Sequence, residues 1–201
     1  MVVLIFVRHG KAKSNELGIL TEEIEGFPLT DDGRKRIELT ATELKKLKVS
    51  RIISSPVQRA RETAKIIGDK LGLTPTIDDR LTERGHGNLV NKSNMDGRWI
   101  YELDLEKENV ENYASIEKRM VDFVDSVKDT SGITVVVTHE DCIKEFIGKA
   151  LNLDVYLVQG LKIENGTMSA VKVVSKGECK VITINFPFLN KEAVSRINDA
   201  I

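Results

Sequence analysis

Two stretches, Val2-Val3-Leu4-Ile5-Phe6-Val7 and Ile133-Thr134-Val135-Val136-Val137-Thr138, are continuous and rich in β-branched residues, with no apolar–polar alternation. A strand wetted on one face alternates and one covered on both faces does not, so both runs predict central strands of a sheet packed between helices. Elsewhere the period is helical. Val57, Ala60, Ala64, Ile67 and Leu71 fall on one face of a helix stopped by Gly72, with Ser55 as its cap and Pro56 in its first turn. Leu29-Thr30 opens a helix to about Leu47, capped by Thr30 or Asp31, with Ile37, Ala41 and Leu44 inside. Ile116, Met120, Phe123 and Val127 mark a helix from Ser115, and Ile143, Phe146, Ile147 and Ala150 mark one after His139. Near the end, Thr167 to Val174 and Cys179 to Asn185 predict a hairpin across Ser175-Lys176-Gly177, after a turn at Asn165-Gly166. Strands alternating with helices predict an α/β fold: a three-layer α/β/α sandwich with a mostly parallel central sheet, in one domain spanning residues 1–201. The polar, irregular segment 85–112, which holds the single Trp, Trp99, is a candidate substrate lid.

In open α/β sheets ligands bind beyond the carboxyl ends of the strands. Arg8-His9-Gly10 follows the first apolar run and His139 follows the later one. Arg59 falls in the first turn of the helix after Arg51-Ile52-Ile53, where free N–H groups favour an anion, although a solvated face is the alternative. Phosphoryl transfer needs positive charge around the equatorial oxygens and an in-line nucleophile. A neutral imidazole can be that nucleophile, and neighbouring arginines oppose its protonation. The leaving alkoxide then needs an acid. Arg61 reads instead as a helix salt-bridge residue, and Arg34-Lys35-Arg36 as a solvated helix face. Asn15 reads either as a turn or cap residue or as a phosphoryl contact.

Several motifs, in order, carry a family resemblance: Arg8-His9-Gly10 with Asn15, Pro28-Leu29-Thr30-Asp31-Asp32-Gly33, the run from Ser54 to Ala64, Leu81-Thr82-Glu83-Arg84, and Val137-Thr138-His139. The chain resembles the histidine phosphatase superfamily, which includes cofactor-dependent phosphoglycerate mutases and many phosphomonoesterases. The resemblance implies a phosphoglycerate mutase-like fold, with His9 as the phosphorylated nucleophile and Arg8, Asn15, Arg59 and His139 around the phosphate. It implies Glu83 as proton donor beside a catalytic His139, and a mechanism with no metal and no cofactor. Arg84 and Lys92 match the mutase loop that clamps the acid's carboxylate and are candidate substrate contacts.

Departures from that pattern lean toward a hydrolase of a small phosphomonoester. Lys11-Ala12 replaces an acid–serine pair common in mutases, His86 stands where mutases carry tyrosine, and Gly97-Arg98-Trp99 offers one arginine in place of a pair. A 2,3-bisphosphoglycerate-dependent phosphoglycerate mutase is the alternative. A non-catalytic phospho-ligand-binding relative is a third reading, which expects the loss of His9 or the proton donor, and both are kept. Glu140-Asp141 stands where many relatives have glycines and is expected to start the next helix and face away from the pocket. A His139, Glu140, Cys142 metal cluster is set aside, since adjacent residues rarely converge on one ion without a second ligand segment.

Composition narrows the partners. The 201 residues are 41% hydrophobic and carry 30 basic and 31 acidic side chains, with a mean hydropathy of -0.19 and a pI near 6.3. That balance argues against a nucleic-acid or membrane surface, whose mark is a clustered basic excess; the small phosphate ester as ligand is what the resemblance implies, and a homodimer is compatible with it. Cys142 and Cys179 are expected as reduced thiols, and the first apolar run is too short for a signal core or membrane span, so a cytoplasmic location is expected.

Overall fold

The computed structural model describes residues 1–93, 105–175 and 178–201; the middle of the candidate lid, residues 94–104 with Gly97-Arg98-Trp99, and Lys176-Gly177 of the hairpin turn lie outside them. The elements run β1 (Val2–Arg8), α1 (Lys13–Leu17), α2 (Asp31–Leu44), β2 (Val49–Ser54), α3 (Gln58–Leu71), β3 (Thr76–Ile77), α4 (Tyr113–Val127), β4 (Gly132–Thr138), α5 (Glu140–Ala150), α6 (Val155–Gly160), β5 (Met168–Ser175), β6 (Glu178–Phe186) and α7 (Lys191–Asn198). Six strands form one sheet in the order β3-β2-β4-β1-β5-β6. The pairs among β1 to β4 are parallel, and β5 and β6 are antiparallel.

The unbroken apolar run of β1 has a simple cause. Val3, Ile5 and Val7 pack with Ile37 and Ala41 of α2, Ala64 and Ile67 of α3 and Ile197 of α7. Val2, Leu4 and Phe6 face the other way, against Ile116, Met120 and Phe123 of α4 and Ile143 and Phe146 of α5. Both faces are covered, giving the three-layer α/β/α sandwich.

Element ends shift where long-range pairing outweighs local signals. The helix after Pro56 begins at Gln58 with Val57 as its cap residue, so Ser55 does not cap it. Ser55 is held to the sheet instead, its N–H donating to the Val137 carbonyl at 2.9 Å, and the chain turns helical only beyond it. α2 has Thr30 as its cap, whose hydroxyl accepts from the Gly33 N–H at 3.0 Å, and ends at Leu44. α4 starts at Tyr113, capped by Asn112.

One close approach fixes the loop after β1. A Cβ on Gly33 would lie 2.1 Å from the Lys11 carbonyl oxygen, and one on Gly10 would lie 2.8 Å from Ile37 Cγ1. The bare backbones let the start of α2 press against the loop that carries His9.

Candidate active site

Parallel pairing of β1 with β4 aligns Arg8 with Thr138, so the next residues, His9 and His139, stand side by side with ring centroids 5.1 Å apart. β2 lies on the other side of β4, and α3 brings Arg59 back toward the same strand ends. Glu83 enters from the loop after Leu81, which the Thr138 hydroxyl holds by donating to the Leu81 carbonyl at 2.7 Å.

Hydrogen bonds fix the state of each ring. His9 Nδ1 is 2.8 Å from the Gly10 carbonyl, which can only accept, so the ring proton sits on Nδ1 and Nε2 keeps its lone pair. Arg59 Nε donates to that Nε2 at 3.2 Å. Burial, with Arg59, His139 and Arg8 nearby, drives the His9 pKa well below 6.5, so the imidazole is neutral. His139 Nδ1 lies 3.1 Å from Glu83 Oε2, an ionised oxygen that can only accept, so the neutral ring carries its proton on Nδ1 and its Nε2 accepts from the Ser55 hydroxyl at 2.8 Å. Burial lowers His139 to about 4 even though Glu83 opposes the shift. For Glu83, burial acts to raise the pKa, but His139 and Arg59 outweigh it and hold the carboxyl well below the usual range. Arg59 Nη2 reaches Glu83 Oε2 at 3.2 Å and the Thr21 carbonyl at 3.0 Å.

His9, Arg59 and Glu83 line a cavity of about 270 Å³, together with Arg8, Asn15, Arg84, His86, Lys144 and Gln159 and an apolar wall of Ile19, Leu20, Leu89, Leu105 and Val110; His139 is fully buried and is not part of that lining, but contacts Glu83 and Arg59 of it. Three guanidinium nitrogens of the lining residues, Arg8 Nε, Arg59 Nη1 and Arg84 Nη2, are buried and have no hydrogen-bond partner among the described residues. Buried polar groups are normally paired, so three unsatisfied cationic donors around one cavity suit an anion with several oxygens.

Two expectations need correction. Glu140 and Asp141 occupy the first turn of α5 but face the cavity. Arg8 Nη1 draws Glu140 Oε2 to 2.7 Å, and Asp141 Oδ2 lies 3.6 Å from Arg84 Nη1. An attractive partner from β1 outweighs the pull of solvent. Lys92 is exposed and absent from the lining; its carbonyl accepts from the Leu20 N–H at 3.1 Å, which pins its backbone at the rim. Arg84 lines the cavity at 3% exposure. Asn15 lines it too, and its side chain accepts from the Ala12 N–H at 2.9 Å, so it also braces the turn after β1.

Donor atoms of His9, Glu83 and His139 lie within 4.8 Å of one another, a spacing that could hold a metal ion. The Arg59 guanidinium contacts all three, so an ion there would displace a fixed cation. Cys142 turns away, its thiol donating to the Thr82 carbonyl at 3.0 Å.

The sequence model of the histidine phosphatase superfamily, branch 1, matches residues 4–186. The chain belongs to this superfamily. A 2,3-bisphosphoglycerate-dependent phosphoglycerate mutase of Thermoplasma acidophilum is 33% identical over 184 residues, covering 86% of this chain and 88% of that protein. Two solved structures share the fold. A mycobacterial glucosyl-3-phosphoglycerate phosphatase has a TM-score of 0.78 at 20% identity, over 91% of this chain and 98% of its own. A phosphoserine phosphatase of Entamoeba histolytica has a TM-score of 0.77 at 22% identity, over 93% and 98%.

Within this histidine phosphatase, sequence reasoning missed the brace that sets Glu83. Arg119 donates to the carbonyls of Arg80 and Thr82 at 2.7 and 2.8 Å and pairs with both oxygens of Glu111. Glu111 in turn accepts from the Gly85 N–H at 3.1 Å, so the loop on both sides of Glu83 is tied to α4. An arginine three positions after buried Ile116 was the available signal.

Glu145, outside the cavity lining, is 6% exposed and accepts from Gln159 of that lining at 2.9 Å. Burial, aided by Asp141, pushes its pKa up to about 7 from 4.5. A carboxyl raised on folding favours the fold while protonated, and that advantage is lost as pH rises through the folded value. Glu145→Gln is therefore expected to raise the melting temperature at about pH 8 and to change it much less at about pH 5, in paired thermal melts. An equal shift at both would refute the raised pKa.

Proposed function

We propose that this enzyme hydrolyses small phosphomonoesters through a phosphohistidine formed on His9. The observation that carries the reading is the orientation of His9: its Nδ1–H is locked on the Gly10 carbonyl, and its Nε2 lone pair meets Arg59 Nε in a cavity lined by the two arginines, Arg8 and Arg59, whose orphaned nitrogens are free for an anion. The phosphoryl oxygens would take those donors, with Asn15 and His139 completing the pocket. Nε2 attacks phosphorus, the P–O bond to the leaving group breaks, and Glu83 gives its proton to the departing oxygen. Water then attacks phosphorus, the Nε2–P bond breaks and returns its electron pair to His9, Glu83 takes the water's proton, and inorganic phosphate leaves. Arg8 and Arg59 supply the charge that a metal brings elsewhere.

Hydrolysis is favoured over mutase chemistry by the charge pairing of the cavity. Arg8 and Lys144 each face Glu140, Arg59 faces Glu83, and Arg84 faces Asp141. One phosphoryl group can draw on the unsatisfied guanidinium donors, whereas a bisphosphorylated intermediate would set its second phosphate against Glu140 and Asp141. A mutase is the second reading, favoured by the Thermoplasma acidophilum relative. Phosphorus NMR of the protein with 3-phosphoglycerate, with and without 2,3-bisphosphoglycerate and with a chelator, separates the two. Free phosphate is expected. Growth of 2-phosphoglycerate without free phosphate would assign the mutase.

A further inference from the structure

We propose that Asp141 accepts an ammonium group carried by the leaving group, and that with Arg84 it makes the outer end of the cavity a subsite for the phosphate ester of a hydroxy-amino acid. The inference rests on the hydrolase reading and adds the substrate class.

Arg84 is rigidly built and incompletely used. Its Nε donates to the Glu111 carbonyl at 2.9 Å, its Nη1 donates to the Tyr113 hydroxyl at 3.0 Å, and its guanidinium carbon lies 4.1 Å from the Tyr113 ring centroid. Nη2 is the nitrogen left over: it is buried and has no hydrogen-bond partner among the described residues, on a side chain that lines the cavity. A buried guanidinium held on one edge with its other corner unsatisfied is a receptor for an anionic group.

Asp141 supplies the opposite need. Asp141 lines the same cavity, and its one ion pair among the described residues, to Arg84 Nη1, spans 3.6 Å, beyond hydrogen-bond length. The other cation on that wall, Lys144, is drawn to Glu140 at 3.3 Å. Burial, with Glu83 close by, pushes the Asp141 pKa up, as expected for a carboxylate short of positive charge. A leaving group bearing only a carboxylate would meet Arg84 but also face Asp141 and Glu140. One bearing only an ammonium would leave Arg84 unsatisfied. A zwitterion answers both.

O-Phosphoserine and 3-phosphoglycerate make a clean pair, because they share the phosphate ester and the carboxylate and differ at carbon 2, ammonium against hydroxyl. Phosphate release by the wild-type chain is expected to show kcat/KM for O-phosphoserine on the order of 10- to 100-fold above that for 3-phosphoglycerate, the range of one charged hydrogen bond. Phosphoethanolamine, which keeps the ammonium and lacks the carboxylate, is expected to fall below O-phosphoserine. In Asp141→Asn the ratio of the first two substrates should collapse toward one, and Asp141→Ser supplies the same ratio if the amide variant does not fold. A wild-type chain with no preference for the amino compound, or a variant that keeps the wild-type ratio, overturns the proposal. If no ester, p-nitrophenyl phosphate included, releases phosphate, the hydrolase reading itself has failed.

Discussion

Replacing His9 by alanine is expected to lower kcat for p-nitrophenyl phosphate by ~10³-fold or more, the scale seen when a covalent nucleophile is removed. The expectation follows from the state of the ring. Its pKa is far below 6.5, so at neutral pH it needs no deprotonation before attack, and the Gly10 carbonyl aims Nε2, not Nδ1, into the cavity. Arg59 Nε occupies that lone pair in the free protein at 3.2 Å and can transfer its donor to a phosphoryl oxygen as substrate enters. Acid-labile, base-stable phosphate should be trapped on the wild-type chain during turnover and be missing from His9→Ala. A variant that keeps a tenth of the activity, or still traps phosphate, would falsify the assignment of His9.

The residues easiest to read from sequence are those whose position depends on strand geometry. Arg8, His9 and His139 each follow a fully buried strand, and parallel register alone brings two such ends together. Arg59 was legible because a helix start next to a strand end is local information. Glu83 was visible only through a motif, since what holds it is Arg119 and Glu111, some 30 residues away, and no local period encodes that pairing. Glu140 and Asp141 show the opposite failure. The rule that acids suit a helix start describes them correctly and says nothing of the direction they face, which Arg8, more than a hundred residues earlier, decides for Glu140. Lys92 matched a mutase motif, but the pairing of its backbone with Leu20 leaves its side chain outside the cavity.

The second large effect is expected at Glu83, and it should depend on the leaving group. Glu83→Gln keeps the size and can still accept from Arg59 and His139, but it has no proton to give. For an alkyl phosphate, whose alkoxide leaves badly, the first turnover should slow by on the order of 10²- to 10⁴-fold. For p-nitrophenyl phosphate, whose anion leaves unaided, the first turnover should stay within about tenfold of wild type, giving a burst of nitrophenol followed by slow turnover as water attack loses its base. The pH dependence has a definite sign. In the free protein Glu83 is held ionised by His139 and Arg59 despite its burial. A phosphoryl dianion entering beside it takes over Arg59 and adds negative charge, so the carboxylate gains affinity for a proton as the complex forms. In the free protein burial lowers His139 to about 4, so its ring is neutral there and Glu83 is the carboxyl placed to carry the proton. The first-turnover rate for alkyl esters should therefore fall as pH rises above neutrality, while that for the aryl ester stays flat. Rapid-quench measurements on both esters across pH decide the point: an equal slowing of both by Glu83→Gln would remove Glu83 as proton donor and leave the leaving oxygen to be protonated by the substrate or by solvent.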